Sequence, residues 1–171
     1  MTSPECLQEL LLSYAEEAKL FFYSYGLADL VVDVPIDHVA IKALNRKEYE
    51  EYIQMYQPLS KRISSTKVNN RDLATVVLQT PLDGGTFGPV ELLEIMEPRP
   101  GVIATTHDLI DHIEIFKKDL NQIQEILKHK EVEFKMQSNE AHNAVVVEIT
   151  EWGQEVKFTD RALLEIINTA N

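Results

Sequence analysis

Alternating apolar and polar residues predict short β-strands over much of the chain. Two of these strands, Ile36–Ala43 and Leu109–Phe116, contain almost the same heptapeptide: Ile-Asp-His-Val-Ala-Ile-Lys at 36–42 and Ile-Asp-His-Ile-Glu-Ile-Phe at 110–116. The other predicted strands are Ile63–Val68, Leu73–Gln79, Pro89–Met96, Val132–Met136, Asn143–Thr150 and Glu155–Thr159. The repeated peptide indicates that two similar halves of the chain pack together.

Apolar residues at helical spacing predict four helices around these strands. The first covers residues 4–25, where Ser3 is a suitable cap and Pro4 a suitable first residue. Its apolar residues at helical spacing are Leu7, Leu10, Leu11, Tyr14, Ala18, Phe21 and Phe22. The other helices are predicted to follow the capping residues Asn45, Asp119 and Asp160. The last helix is predicted to bury Leu163, Leu164, Ile166 and Ile167.

Each half of the chain therefore runs strand, helix, strand, strand, strand. Asn69-Asn70 is predicted to form a hairpin turn, and the proline-rich segment 97–108 is predicted to link the halves. We predict an α+β fold of two βαβββ modules, at 31–98 and 106–171 within one domain at 31–171. A helical extension at 1–30 precedes them, and a C-terminal helix closes the second module.

Composition and charge narrow the range of functions. The chain has 171 residues, with 28 acidic against 16 basic side chains and a net charge of −12. Nucleic acids and anionic membranes attract basic surfaces, so we expect neither as a partner. The single cysteine, Cys6, allows no internal disulfide, and the start of the chain lacks the pattern of a secretory signal. We therefore expect a cytoplasmic protein.

The two repeated strands each bring a histidine to the predicted core. Residues i and i+2 of a strand share a face, so His112 and Glu114 point the same way, while Asp37 and Asp111 point to the opposite face. A buried carboxylate is costly unless it is paired or binds a metal. His38 occupies the equivalent position in the first half, which predicts that both imidazoles enter one site.

A carboxylate from the first half is also available on the strand 89–96. Glu94 shares a face there with Leu92 and Met96. Two histidines with one or two carboxylates suit zinc, iron, cobalt, nickel or manganese, and they leave open positions for a substrate. The alternative is that these histidines are hydrogen-bonded core or surface groups and that Glu94 is a solvated or salt-bridged surface residue.

The remaining histidines are predicted to lie outside the site or at its edge. His129 is expected near a helix C-terminus, where its charge would be favourable, and His142 is expected on the surface beside a turn. His107 lies in the linker, from which it could reach the mouth of the site. Cys6 has no evident activating partner, so we expect it to be inert.

Residues 36–159 resemble the vicinal oxygen chelate superfamily, which includes glyoxalase I, methylmalonyl-CoA epimerase, extradiol dioxygenases and bleomycin-resistance proteins. The resemblance implies a glyoxalase-like half-barrel of paired βαβββ modules around a divalent metal. It implies that His38 and His112 match the first-strand ligands, and that Glu94 in Glu94-Ile95-Met96-Glu97-Pro98 matches the fourth-strand ligand.

The second fourth-strand ligand departs from that family pattern. The strand reads Glu155-Val156-Lys157-Phe158-Thr159, with Lys157 where the family has a carboxylate. A lysine must lose its proton before it can bind a metal, so Glu155 or Glu114 would have to complete the set. Lys157 would instead hold a substrate carboxylate or neutralise excess acid.

Within the superfamily the chain most resembles YecM-type proteins. They share an N-terminal helical segment, an acidic-His-Ile-Glu-Ile stretch in the second module and an Ile/Val-Lys-Phe fourth strand. That group is described as metal-binding, with isomerase activity suggested.

The sequence thus predicts a divalent-metal-binding protein, monomeric or homodimeric, that acts on a small oxygenated molecule as an isomerase, lyase or dioxygenase. The expected metal ligands are His38, Glu94, His112 and Glu114. Glu114 could instead serve as a general base, and Lys157 is expected to be an electrostatic partner. Two alternatives remain: a metal-free module of the same fold that sequesters a small molecule, and an interaction protein that works through its first helix.

Overall fold

A computed structural model describes residues 3–68, 71–98, 109–138, 142–150 and 153–169. The helices are α1 (Pro4–Ser24), α2 (Arg46–Tyr56), α3 (Leu120–His129) and α4 (Leu163–Thr169). The strands are β1 (His38–Lys42), β2 (Ser60–Val68), β3 (Arg71–Asp83), β4 (Pro89–Met96), β5 (Ile110–Phe116), β6 (Lys135–Ser138), β7 (Asn143–Glu148) and β8 (Glu155–Thr159). Within those ranges, none of the helices combines the length and apolarity that a bilayer crossing requires.

All eight strands form one sheet in the order β2-β3-β4-β1-β5-β8-β7-β6. In each module the first strand pairs in parallel with the fourth, β1 with β4 and β5 with β8. The modules join where β1 pairs antiparallel with β5. The predicted α+β fold of two βαβββ modules, with an N-terminal and a C-terminal helix, is therefore confirmed, and the two histidine strands are neighbours at its centre.

The main hydrophobic core covers one face of the sheet. The alternate residues Val39, Ile41, Ile113 and Ile115 belong to it and are fully buried. Helices α1, α2 and α3 bury their apolar faces against this side of the sheet. The other residues of the central strands, which include both histidines, therefore lie on the opposite face.

Two small apolar clusters flank the histidines on that opposite face. Ala40 packs with Leu73 and Met96 in one cluster, and Leu92 packs with Leu163 in the other. Leu163 is the first residue of α4, so the C-terminal helix contributes to the cover of this face. The face of the sheet that carries the histidines is thus much less apolar than the main core, so polar side chains can lie there.

One face of helix α1 packs against the main core. Phe22 is fully buried and packs edge-to-face on Phe158 of β8, with ring centroids 5.9 Å apart. Its neighbour Tyr23 is 71% exposed, and Leu10, which the helical spacing grouped with the core, is 41% exposed. Since α1 packs in the same core as both modules, the predicted division at residue 30 stays a prediction.

Apart from strand ends in β1, β2, β3, β5 and β7 that differ from the predicted bounds by one to four residues, three local predictions about the fold are wrong. The sixth strand begins at Lys135 rather than Val132, because the N–H of Val132 bonds back to the carbonyl of Leu127 in a helix-terminating turn. The carboxylate of Asp160 accepts from Asn143, 2.9 Å to its backbone N–H and 2.8 Å to its side chain, and so does not cap α4.

The third error concerns the exposure of α4, in which Leu164 is 39% exposed rather than buried. The predicted turn at Asn69-Asn70, most of the linker at 97–108 including His107, and the side chain of Ile167 lie outside the described residues.

Candidate metal centre

The register between β1 and β5 brings both histidines and one carboxylate together. His38 lies opposite Glu114, and Ala40 lies opposite His112. In an antiparallel pair, directly opposed residues point to the same face, and so do residues two apart in one strand. The pairing therefore places His38, His112 and Glu114 on a single face of the sheet, and the small side chain of Ala40 leaves space between them.

All three side chains are deeply buried. His38, His112 and Glu114 are 2%, 3% and 5% exposed. Each offers one ligand atom, and these three atoms lie within 4.8 Å of one another. Nε2 of His112 is 3.4 Å from Oε1 of Glu114, and Nε2 of His38 is 3.9 Å from Oε2. Both carboxylate oxygens thus have an imidazole nitrogen beside them.

An aspartate holds the far side of each imidazole ring. Nδ1 of His38 donates to Oδ2 of Asp37, and Nδ1 of His112 donates to Oδ2 of Asp111, each at 2.9 Å. Asp37 precedes β1, and Asp111 lies where the β1–β5 register shifts, which frees both carboxylates from strict alternation. When the imidazoles are neutral, these bonds direct the lone pair of each ring to Nε2.

Each aspartate is fixed by a second donor, and the two donors differ. Oδ2 of Asp37 also accepts the backbone N–H of Leu163 at 2.9 Å. Oδ1 of Asp111 pairs with Nζ of Lys42 at 2.7 Å. These aspartates therefore orient the histidines and do not enter the group of three ligand atoms.

The imidazole nitrogens that face the site fit a metal ion. Nε2 of His38 and Nε2 of His112 are buried and make no hydrogen bond to any described residue. A buried polar atom without a partner costs about 1–3 kcal/mol, which coordination to a cation would offset. Two such atoms beside a buried carboxylate form a donor set for a divalent transition metal.

The electrostatics of the cluster favour charged groups in the absence of a cation. Burial alone would lower the pKa of His38, but the carboxylates of Glu114, Asp37 and Glu94 raise it to about 9. Burial likewise acts to raise the pKa of Glu114, yet the positive charge of His38 and the neighbouring imidazoles of His112 and His142 hold it well below its usual range. At neutral pH the metal-free cluster therefore contains a protonated His38 beside an ionised Glu114.

The predicted carboxylate of the first module lies at the edge of this cluster. Glu94 is half-buried and in register with Ala40, so it lies on the site face, and its charge helps raise the pKa of His38. Its carboxylate is not one of the three mutually close ligand atoms. Its role as a metal ligand stays a prediction.

The fourth strand of the second module places two charged residues beside the cluster. Lys157 is 8% exposed and lies opposite Glu114, while Glu155 lies opposite His112. Nζ of Lys157 is 3.6 Å from Oε2 of Glu155. The buried ammonium therefore stands at the margin of the site with Glu155 as a neighbouring counter-charge.

His142 is the site residue that sequence reasoning missed. Instead of lying on the surface, its side chain is only 16% exposed, and its Nε2 is 3.9 Å from Oε1 of Glu114. It precedes β7, in a connection whose path strand alternation does not determine. His129 ends α3 and is exposed, and Cys6 is an exposed free thiol, both as expected.

Comparison with solved structures identifies the fold. The protein called "Structural Genomics, Protein EC4020" aligns with a TM-score of 0.72 and 16% identity, over 95% of this chain and 90% of that chain. Methylmalonyl-CoA epimerase from Mycobacterium tuberculosis aligns with a TM-score of 0.51 and 15% identity, over 75% of this chain and 89% of that chain. These likenesses show a shared glyoxalase-like fold.

Comparison by sequence identifies a family but no individual relative. No curated protein matches the chain. The family model described as "YecM protein" matches residues 5–161, which include all of α1 but its first residue, the eight strands and every residue of the cluster.

Proposed function

This chain belongs to the YecM protein family, and from its buried cluster we propose that it binds a divalent metal ion and acts on a small oxygenated molecule. The observation that carries the proposal is the pair of buried Nε2 atoms, on His38 and His112, that lack hydrogen bonds and lie beside Glu114. A purely structural role would leave these atoms paired only with Glu114, at 3.4 and 3.9 Å, which is longer than a good hydrogen bond.

The proposed ligands are His38, His112 and Glu114, with Glu94 as the carboxylate from the first module. Imidazole and carboxylate donors suit zinc, iron, cobalt, nickel and manganese. Around a metal with bonds of about 2.0–2.2 Å, neighbouring donor atoms lie roughly 3.0–3.5 Å apart. The separations of 3.4 and 3.9 Å between imidazole nitrogens and carboxylate oxygens need only small adjustments to reach that range.

A metal in this set would act as a Lewis acid on oxygens of the bound molecule. The residues around it supply the rest of the proposed mechanism. Asp37 and Asp111 hold the two imidazoles in position, and the apolar clusters around Ala40 and Leu92 limit the water that reaches the site. Lys157 offers an ammonium group to an anionic oxygen of the substrate.

The likeness in fold to methylmalonyl-CoA epimerase supports an isomerase as the enzyme class to test first. Sequestration of a small molecule without metal is the competing proposal, since the same face could hold a ligand. The two functions differ in what the histidines do. In a metal-dependent protein they are ligands, whereas in a metal-free module they would only line the site.

Metal analysis of protein purified without an affinity tag separates these functions. We expect close to one equivalent of a transition metal in the natural sequence and a large loss in the double variant His38→Ala, His112→Ala. His129→Ala is the matched control, because it removes an exposed histidine from the end of α3. Less than about a tenth of an equivalent after incubation with each candidate metal, unchanged in the double variant, would overturn the proposal.

A further inference from the structure

The fourth strand of the second module, β8, carries Lys157 at the position where a carboxylate would face the metal site. Its ammonium must lose a proton before it can coordinate a metal, and Glu155 already lies 3.6 Å from it. A third histidine approaches the same cluster from a different element. His142 precedes β7, and its Nε2 is 3.9 Å from the Glu114 oxygen that also faces His112.

We propose that His142, which precedes β7, is a metal ligand and takes the role that a carboxylate at position 157 would have. This inference rests on the proposed metal function and specifies its ligand set. Oε1 of Glu114 has Nε2 of His112 on one side at 3.4 Å and Nε2 of His142 on another at 3.9 Å. His142 is not among the three mutually close ligand atoms, so its imidazole has to move toward the cluster to reach the separations of about 3.0–3.5 Å that donors of one metal ion show.

The residue after His142 is held by three hydrogen bonds, which limits where the backbone of His142 can lie. Both the backbone N–H and the side-chain amide of Asn143 donate to Asp160, at 2.9 and 2.8 Å. Oγ of Ser138 donates to Oδ1 of Asn143 at 2.8 Å. Asn143 is therefore anchored to the last residue of β6 and to Asp160, which follows β8, and the side chain of His142 is 16% exposed.

The resulting arrangement differs between the two modules. The first module contributes His38 from its first strand and, as proposed, Glu94 from its fourth. The second contributes His112 and Glu114 from its first strand and His142 from the connection before its third. Lys157 takes no part in coordination in this arrangement, and its side chain, paired with Glu155, lies beside the site where it can contact the substrate.

Cobalt loading tests the inference with a readout that does not depend on activity. We expect His142→Ala to weaken Zn²⁺ affinity at least about tenfold, measured by competition with a chromophoric chelator. We also expect it to change the intensity and position of the visible Co²⁺ bands, because the ligand set changes. Free imidazole added to Co²⁺-loaded His142→Gly should restore the bands of the natural protein.

A control variant and the metal-free fold separate loss of a ligand from loss of structure. His129→Ala should bind zinc and cobalt like the natural protein, and the metal-free unfolding midpoint of His142→Ala shows whether the fold is retained. Zinc affinity within about twofold of the natural protein, with unchanged cobalt bands, would overturn the role of His142 and leave the metal proposal intact. A natural protein that binds neither metal would overturn both.

Discussion

His38 and Glu114 face each other across the junction of the two modules, with Nε2 of His38 3.9 Å from Oε2 of Glu114. One residue comes from each repeat, so neither module contains the pair by itself. The repeated strand has Ala40 where its counterpart has Glu114. The site is therefore asymmetric, with the carboxylate on one side and the space it needs on the other.

Replacement of Glu114 tests the central carboxylate. Glu114→Gln keeps the shape of the side chain but removes the charge that binds a cation, so we expect metal affinity to fall at least about tenfold. Glu94→Gln should weaken binding less, because Glu94 is half-buried at the edge of the cluster, whereas Glu114 lies beside both imidazoles. Zinc competition measures both variants, and an unchanged affinity in Glu114→Gln would contradict its role as a ligand.

The aspartates behind the histidines should affect affinity without direct contact to the metal. Asp111→Asn weakens the bond that orients His112, and we expect a loss of about 10–100-fold in metal affinity. Asp72→Asn is a useful control, since it removes a carboxylate that pairs with Arg46 on the surface of the sheet. Isothermal titration with zinc compares the two, and equal affinities would argue against an orienting role for Asp111.

The raised pKa of His38 makes the metal-free protein sensitive to pH. Between the ordinary value of 6.5 and about 9, the folded state keeps a proton that the unfolded state has lost. Stability must therefore decrease as pH rises through that window, by at most about 3 kcal/mol from this group. Urea unfolding of metal-free protein at pH 6.5, 7.5 and 9 measures the effect.

His38→Gln is the matched variant for that measurement, because it has no proton to lose there. Its free energy of unfolding should change less between pH 6.5 and 9 than that of the natural protein. Parallel curves for the two proteins would show that His38 does not retain its proton in the folded state.

Lys157→Met should separate substrate binding from metal binding. The substitution keeps an unbranched side chain of similar length but removes the ammonium. We expect metal content to be unchanged and the affinity of zinc-loaded protein for oxalate, a small chelating dianion, to fall by about tenfold or more. Calorimetry measures the second value. Loss of zinc from Lys157→Met would instead show that the charge at this position supports coordination.

Two adjacent aromatic residues test how α1 is held. Phe22→Ala should lower the free energy of unfolding by about 3–5 kcal/mol, because Phe22 is fully buried against Phe158. Tyr23→Ala should change it by less than about 0.5 kcal/mol, since this side chain is 71% exposed. Similar losses in both variants, measured by urea unfolding, would contradict the observed orientation of the helix.

The fold and the centre of the site could be predicted because strand alternation is a local property. The period of two fixes which residues share a face, and the repeat indicates that His38 and His112 occupy equivalent places. The same alternation placed Glu114 beside His112. These inferences needed no knowledge of loops, and the structure brings the three residues together.

The other parts of the site depend on contacts between distant segments. His142 lies beside Glu114 but precedes β7, outside any strand, and the hydrogen bonds that hold the next residue, Asn143, to Asp160 follow no repeating pattern. Alternation alone directed Asp111 away from the site, but the register shift in β5 lets its carboxylate reach His112. Asp160 had the sequence position of a cap, yet its bonds to Asn143 use both oxygens.

A single oxygen atom joins the last helix of the chain to the centre of the sheet. Oδ2 of Asp37 accepts both the ring N–H of His38 and the backbone N–H of Leu163, where α4 begins. Detachment of α4 would remove one of these two donors and leave the aspartate free to rotate away from the imidazole. By thermodynamic reciprocity, an ion that rigidifies His38 would also make fraying of the C-terminal helix more costly. Amide exchange at Leu163 would then serve as a remote reporter of occupancy at the centre.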